Sequence, residues 1–169
     1  MSCRVEPRKR PKLLKYVSSN ISGMTDSRRE YFEALVSHEV SLWDAVDRHL
    51  AEAGVVRTGR LAFLRVVGNG LTTRVQDVAD RLGITVGAAS RFTDRMVADG
   101  LVARTPNPAD RRSSFVSLTK SGAKSLEESE AVFTAALDRL LSGVDDSELT
   151  ELTAKLIELR TAVAQNEAD

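Results

Sequence analysis

The chain has 169 residues, of which 42% are hydrophobic and 28% charged, so it is long enough to bury a core of its own. No stretch approaches ~18 consecutive apolar residues, which excludes a membrane-spanning helix, and the basic N-terminus lacks the apolar core of a signal peptide. A single cysteine, Cys3, excludes an internal disulfide framework and a clustered thiolate metal site. We therefore expect a cytoplasmic protein.

The formal net charge is zero, but the charges are unevenly distributed along the chain. Basic residues predominate between Met1 and Lys15 and again between Thr72 and Lys120, whereas acidic residues predominate from Ala123 onwards. A net charge of zero argues against a protein that coats nucleic acid indiscriminately. The uneven distribution suits a protein that presents one face to phosphates.

Residues 1–26 are interpreted as a basic N-terminal extension. Apolar residues at helical spacing would give a short amphipathic helix over 11–22, with Pro11 at its first position. A loose tail is the equal alternative, and Met24 could be the physiological start.

Two helices are predicted to follow this extension, over 27–53 and over about 58–67. Apolar residues recur in the first helix at spacings of three and four, among them Phe32, Val36, Trp43, Val46 and Leu50. The second helix is expected to stop at the Gly68-Asn69-Gly70 run. Leu71 is expected to add a minimal strand to the sheet that comes next.

The stretch from Thr73 to Asp99 has the pattern of a helix-turn-helix. Thr73 and Gln76 predict a capping box, and Gly83 stands where a helix should stop. Thr85 is a good N-cap for the second helix, whose predicted inward residues are Val86, Ala89, Phe92, Met96 and Val97. So short a glycine-containing turn predicts that the second helix lies in a DNA major groove.

A β-hairpin is predicted directly after Gly100. Its strands are expected over Leu101–Arg104 and Ser113–Thr119, joined by the basic-tipped loop 105–112. We expect this loop to be too long for a tight two-residue turn. The hairpin completes a winged helix over 58–119.

Two further amphipathic helices are predicted within 120–165. Thr119 should cap the first, which runs to about Leu141, and Asp145 with Glu148 predicts a capping box for the second. The apolar residues of the last helix step by three and four, as in a helix that packs on other helices: Leu149, Leu152, Leu156, Leu159 and Val163. They could cover the chain's own core. Because helices 27–53 and 120–165 lie outside the winged helix, homodimerisation through them is the more economical explanation.

The resulting fold class is mostly α with a small β-hairpin wing, a winged helix-turn-helix with N- and C-terminal dimerisation helices. Ile84–Met96 is similar to the recognition helix of the MarR (multiple antibiotic resistance regulator) family. Gly100–Arg104 resembles the start of its wing, and Asp110-Arg111-Arg112 with Ser117–Gly122 resembles the wing and its exit. Residues 27–169 thus resemble one MarR-like domain. The resemblance implies a bacterial transcriptional regulator, typically a homodimer on a pseudo-palindromic operator, often a repressor released by a small aromatic or phenolic ligand.

The predicted DNA contacts on the recognition helix lie opposite its apolar side. Arg91 can make a bidentate contact to guanine or grip a phosphate. Thr85 and Ser90 suit phosphates or base edges near the helix N-terminus, and Gly87 would let the backbone approach closely. Arg95 either contacts DNA or pairs with Asp94 or Asp99 in its own chain.

In the wing, three consecutive residues are predicted to belong to the DNA-binding site, and Arg112 resembles the family arginine that enters the minor groove. Arg112 is expected to enter the minor groove, with Asp110 holding its guanidinium by a charge-assisted pair. Arg111 is expected to contact a phosphate.

The resemblance also implies a ligand pocket between helices 27–53 and 58–67 and the winged helix. Trp43 and Arg65 are its candidate lining residues, and core packing is the alternative for Trp43. We expect no other cofactor and no metal, since His38 and His49 lie ~16 Å apart along a helix that rises 1.5 Å per residue.

The sequence contains no catalytic constellation, so we do not expect an enzyme. Two alternatives remain open. One is a winged-helix module that binds another protein, and the other is a nonspecific architectural DNA binder.

Overall fold

The computed structural model of the chain describes residues 27–70, 73–107 and 110–167. The elements in order are α1 Ser27–Glu52, α2 Thr58–Gly68, β1 Thr73–Arg74, α3 Val75–Leu82, α4 Val86–Ala98, β2 Val102–Asn107, β3 Asp110–Leu118, α5 Lys120–Leu140 and α6 Asp146–Asn166. The chain divides after His38 into two units, and the core described next belongs to the second unit. The predicted fold class, mostly helical with a small sheet, is confirmed. None of the described helices has the length and apolar character that a membrane crossing requires. The predicted helix over 11–22, Cys3 and Leu71 lie outside the described residues.

The core of the second unit is built around α2. Leu64 and Phe63 of this helix are fully buried, and they belong to one cluster with Val78 of α3, Met96 of α4 and Val116 of β3. Helix α2 packs against α3, α5 and β3, and α3 packs against α4. The helix-turn-helix is therefore fixed on its inner side by apolar burial, at ~25 cal/mol per Å² of surface removed from water.

Three of the four predicted N-terminal caps are present, and so is the predicted C-terminal glycine of α3. Gly83 ends α3 in the left-handed conformation, with φ 61°. The Thr85 hydroxyl accepts a hydrogen bond from the Ala88 N–H at 3.2 Å and so caps α4. Thr119 caps α5, and Asp145 with Glu148 forms the capping box of α6.

The fourth predicted cap, Thr73 with Gln76, was wrong. Thr73 is buried and pairs with Val116 in the sheet, so it cannot start a helix. The box is displaced by one residue, since the Asp77 carboxylate accepts from the Arg74 N–H at 2.7 Å. The short strand that adds to the wing hairpin is therefore β1, Thr73–Arg74.

The wing hairpin is longer than predicted. The sheet has the order β1-β3-β2, all antiparallel, and its ladder extends to the pair Asn107 and Asp110. Residues 105–107 thus belong to a strand and not to a loop, and the connection is short. Pro106 is tolerated because β2 is an edge strand, where a missing N–H interrupts no ladder on its outer side.

Two of the residues predicted to face inward on α4 are exposed, Val86 by 47% and Val97 by 37%. Thr93 takes the inward position instead. Its side chain is fully buried, and its hydroxyl donates to the Ala89 carbonyl at 2.8 Å, which satisfies the polar group inside the core.

Helix α6 has no buried residue in the single chain. Leu152, Leu156 and Val163 of the predicted seam are exposed, and so is the neighbouring Ile157. In the first unit, Phe32 and Val36 of α1 are also exposed. These apolar side chains do not contribute to the core of one copy of the chain.

Candidate nucleic-acid interface

The outer face of α4 is polar and accessible. Thr85, Gly87, Arg91 and Arg95 are exposed there, and Ser90 is half-buried. Ala89, Thr93 and Met96 on the inner face are fully buried, so the two faces of the helix are clearly separated. Among the described residues, the Arg91 side chain has no hydrogen-bond or ion-pair partner. One of its guanidinium nitrogens, Nη1, lies 3.7 Å from where a Cβ on Gly87 would stand, so the guanidinium crosses the surface that Gly87 leaves bare.

Arg104 of β2 connects the wing to the recognition helix. Its Nη2 donates to an Asp94 carboxylate oxygen at 2.8 Å and to the Ser90 carbonyl at 3.3 Å. Its Nη1 donates to the Ser114 hydroxyl of β3 at 3.2 Å. One guanidinium therefore touches α4 and both strands of the hairpin. Sequence reasoning counted Arg104 only as a basic residue of the wing, although its place four residues after Gly100 was a usable signal.

The structure does not form the pairs considered for Arg95. The Asp94 carboxylate is bound by Arg104, and the Asp99 carboxylate is bound by Arg60 of α2. The Arg95 guanidinium lies 5.4 Å from the centroid of the Phe92 ring, within the range of a cation–π contact. Arg95 therefore keeps its charge at the solvent-exposed edge of the helix.

The three candidate residues of the wing lie at the start of β3, where Asp110 pairs across the hairpin with Asn107. This position puts Asp110, Arg111 and Arg112 at the tip of the wing. Their side chains lie outside the described part of the structure, so the predicted contact between Asp110 and Arg112 stays a prediction.

A tight junction joins α4, the wing and α5. The Thr119 hydroxyl donates to the Gly100 carbonyl at 2.7 Å and accepts from the Gly122 N–H at 2.9 Å. The Thr119 N–H donates to the Leu101 carbonyl at 3.1 Å. A Cβ on Gly122 would lie 1.8 Å from that carbonyl oxygen, so only glycine fits in this turn of α5.

The two candidate ligand residues have different surroundings. Trp43 of α1 is 39% exposed. The Arg65 guanidinium makes two hydrogen bonds to the Glu130 carboxylate, at 2.6 and 2.7 Å, and lies 4.2 Å from the centroid of the Phe133 ring. The hydrogen bond from Arg65 holds the pKa of Glu130 below its usual value, and the same bond raises the pKa of Arg65. Any anionic ligand that binds Arg65 has to share it with Glu130.

Other kinds of site find little support in the part of the chain that the structure describes. No group of three or more His, Cys, Asp or Glu side chains there could hold a metal ion. An open groove on the surface of α6 is lined by Val144, Glu148, Glu151, Leu152 and Lys155, and it includes neither Trp43 nor Arg65.

Comparison with known proteins gives one consistent result. The MarR family model matches residues 49–113, which hold the helix-turn-helix and most of the wing. The chain is 35% identical over 86 residues to the transcriptional repressor MdtR of Bacillus subtilis strain 168, which is 49% of this chain and 56% of MdtR. The curated relatives found are transcriptional regulators and not enzymes.

Solved structures agree with the fold over most of the chain. AbsC, a MarR family regulator from Streptomyces coelicolor, superposes with a TM-score of 0.74 at 20% identity, covering 86% of this chain and 99% of AbsC. The repressor CouR, bound to a 23-mer DNA duplex, gives 0.74 at 20% identity, covering 84% of this chain and 99% of CouR. A second CouR structure, from Rhodococcus jostii RHA1 and bound to p-coumaroyl-CoA, gives 0.64 at 20% identity and covers 75% and 88% of the two chains.

Proposed function

We propose that the chain is a winged helix-turn-helix transcriptional regulator of the MarR family, and that it acts as a repressor that binds a pseudo-palindromic operator as a cytoplasmic homodimer. The observation that carries the proposal is the outer face of α4. Arg91 is exposed there with no hydrogen-bond or ion-pair partner in the described part of the chain, beside a wing that Arg104 fixes to the same helix.

Each element of this surface has a role on DNA. The N-terminal end of α4 enters the major groove, where Arg91 contacts a guanine edge. Thr85, Ser90 and the backbone at Gly87 approach phosphates or base edges, favoured by the positive end of the helix dipole. Arg95 binds the backbone from the edge of the helix. Arg112, held by Asp110, enters the minor groove beside it, and Arg111 binds a phosphate.

The exposed apolar residues of α6 support the homodimer. Ile157 and Val163 are exposed by 52% and 59% in one copy, on a helix with no buried residue. An apolar helix face of this kind is expected to be covered by another helix. Two copies joined through α1, α5 and α6 would place two α4 helices on successive turns of one face of the duplex, about 34–36 Å apart.

The proposal also includes a response to a small ligand that binds near Trp43 and Arg65. CouR binds p-coumaroyl-CoA, an effector that contains a phenol. In this chain Trp43 offers a half-exposed aromatic surface, and Arg65 offers a cation for a carboxylate or phenolate. Because Glu130 already holds Arg65, an anionic effector would compete with an internal ion pair, and this competition would couple binding to the packing of α2 on α5.

Fluorescence anisotropy tests the DNA proposal directly. The full chain is titrated into the duplex that lies upstream of its own gene and into a scrambled duplex of equal composition. We expect a strong preference for the upstream duplex, lost in Arg91→Ala and kept in Arg139→Ala, an exposed arginine on α5 that lies outside the proposed surface. Equal affinity for both duplexes would identify an architectural DNA binder, and no binding to either would favour a protein-interaction module.

Two further measurements test the assembly and the ligand. Sedimentation equilibrium of the full chain should give a dimer, and Ile157→Glu should shift it toward the monomer while the secondary structure is unchanged. A screen of phenols and phenolic acids should find compounds that release the bound duplex. A chain that stays monomeric at every concentration would remove the two-fold operator from the proposal.

A further inference from the structure

The outer part of α4 carries an apolar side chain that the core does not use. Val86, the first residue of the helix, is 47% exposed, more than any other large apolar residue of α4. At about 100° per residue, Val86 and Arg91 lie on opposite sides of Gly87, which contributes no side chain. The groups exposed near the helix N-terminus are thus the branched apolar side chain of Val86, the backbone at Gly87 and the guanidinium of Arg91.

Two polar groups next to Val86 on the same side of the helix, a carbonyl and a carboxylate, are already bound by the wing. Ser90 and Asp94 follow Val86 at spacings of four, so the three form one row. The Ser90 carbonyl and the Asp94 carboxylate both accept hydrogen bonds from Arg104. Val86 therefore ends a row in which the Ser90 carbonyl and the Asp94 carboxylate are tied to the wing, and it is the exposed apolar member of that row.

We propose that Val86 is a specificity-determining residue that packs against the C5-methyl group of a thymine in the major groove. Thymine is the base that presents an apolar group there, and small apolar side chains recognise it by contact. Valine suits this role because branching at Cβ leaves one strongly preferred χ1 rotamer in a helix, so its methyl groups are held in place before DNA binds. The inference rests on the proposed function, and it adds that each half-site needs a thymine beside the guanine read by Arg91.

Substitution of single thymines tests the contact without changing the base pairing. The full chain first selects its preferred duplex from a randomised pool. Each thymine of that duplex is then replaced by deoxyuridine, which lacks the methyl group, at both symmetric positions. At one pair of positions we expect the affinity of the natural chain to fall about fourfold per half-site, as for the loss of one methyl-sized contact.

The same duplexes are titrated with two variants. Val86→Ala should bind the thymine duplex more weakly and should be insensitive to deoxyuridine at that pair of positions. Val97→Ala, which changes the other exposed valine of α4, should respond as the natural chain does. Because both side chains are exposed, neither variant is expected to disturb the fold.

The outcomes separate this inference from the proposal on which it rests. A preferred duplex at which deoxyuridine has no effect, or weakens Val86→Ala as much as the natural chain, overturns the thymine contact and leaves the regulator intact. Failure to select any preferred duplex overturns both.

Discussion

Removal of the Arg104 bridge should weaken operator binding without removing a DNA contact. Arg104→Ala deletes the ion pair with Asp94 and the hydrogen bonds to the Ser90 carbonyl and the Ser114 hydroxyl. The ion pair is partly exposed, with 64% of the Asp94 side chain accessible, so it contributes ~0.2–1 kcal/mol. The two hydrogen bonds are long and fall at the lower end of ~0.5–1.5 kcal/mol each.

These contributions predict a loss of about 1–2 kcal/mol in the free energy of unfolding, measured by urea denaturation. The effect on DNA binding is larger, because two protomers must each hold wing and recognition helix in one geometry. A loss of ~1 kcal/mol per protomer lowers the affinity of a dimer about 30-fold. The assay is anisotropy with the preferred duplex over a range of salt concentrations.

Two variants distinguish a positioning role from direct contact with phosphate. Arg104→Lys keeps the charge but loses the planar fork that reaches three partners, so it should not restore affinity. Asp94→Ala removes a negative charge from the DNA-facing helix and should nevertheless weaken binding. Full affinity in Arg104→Lys, or a salt slope that falls by ~1 per protomer in Arg104→Ala, would show that Arg104 binds phosphate and would refute this reasoning.

Three other substitutions test the wing contact, the close packing at Gly122 and the ion pair of Glu130. Arg112→Ala should weaken operator binding and lower the slope of log K against log salt by roughly one unit for each engaged wing, and an unchanged slope would count against the wing contact. Gly122→Ala should lower the free energy of unfolding by at least the ~1–3 kcal/mol of an overpacked site, because its Cβ would lie 1.8 Å from the Leu101 carbonyl oxygen. Gly143→Ala, where a Cβ meets nothing within 4 Å, should change it little and is the matched control. Glu130→Gln should destabilise the chain at pH 7 and progressively less as the pH falls through the acid range. The pKa of Glu130 is lowered in the folded state, so its stabilisation is fully present above the ordinary carboxyl pKa of ~4.3 and is lost as the pH falls from there through the lowered folded-state pKa. Urea denaturation at pH 7 and at a series of pH values below ~4.3 measures the difference, and an equal loss at all of them would contradict the role of the ion pair.

The sequence predicted those features that a single local preference decides. Gly83 was recognised because a left-handed residue ends a helix, and Thr85 and Thr119 because a hydroxyl satisfies the first N–H groups. These preferences act within four residues and do not depend on the rest of the fold. The same holds for the capping box at Asp145, whose hydrogen bonds join residues at most three apart.

Predictions failed where tertiary contacts override a local pattern. Thr73 has a good capping side chain, but pairing with Val116 uses its backbone in the sheet. Pro106 reads as a loop residue until the sheet order shows that β2 lies at an edge. Val86 has the spacing of a core residue, but it is 47% exposed at the first position of α4, and Thr93 fills the core. The partners of Arg104, Asp94 and Ser114, depend on how the strand and the helix are placed together.

The contacts at the C-terminal end of α4 imply that the recognition helix moves with the helices around it. At its C-terminal end, Asp99 is bound by Arg60 of α2, and the Leu101 N–H donates to the Met96 carbonyl at 3.0 Å. Leu101 in turn abuts Gly122 of α5 without space for one additional carbon. A shift of α5 relative to α2 therefore cannot be absorbed between α5 and α4. In the proposed dimer such a shift would change the separation of the two recognition helices. The Arg65–Glu130 pair joins α2 and α5, the helices between which the shift occurs. An effector that competes for Arg65 would thus act on operator spacing through backbone contacts, and this mechanism needs no flexible hinge in the wing.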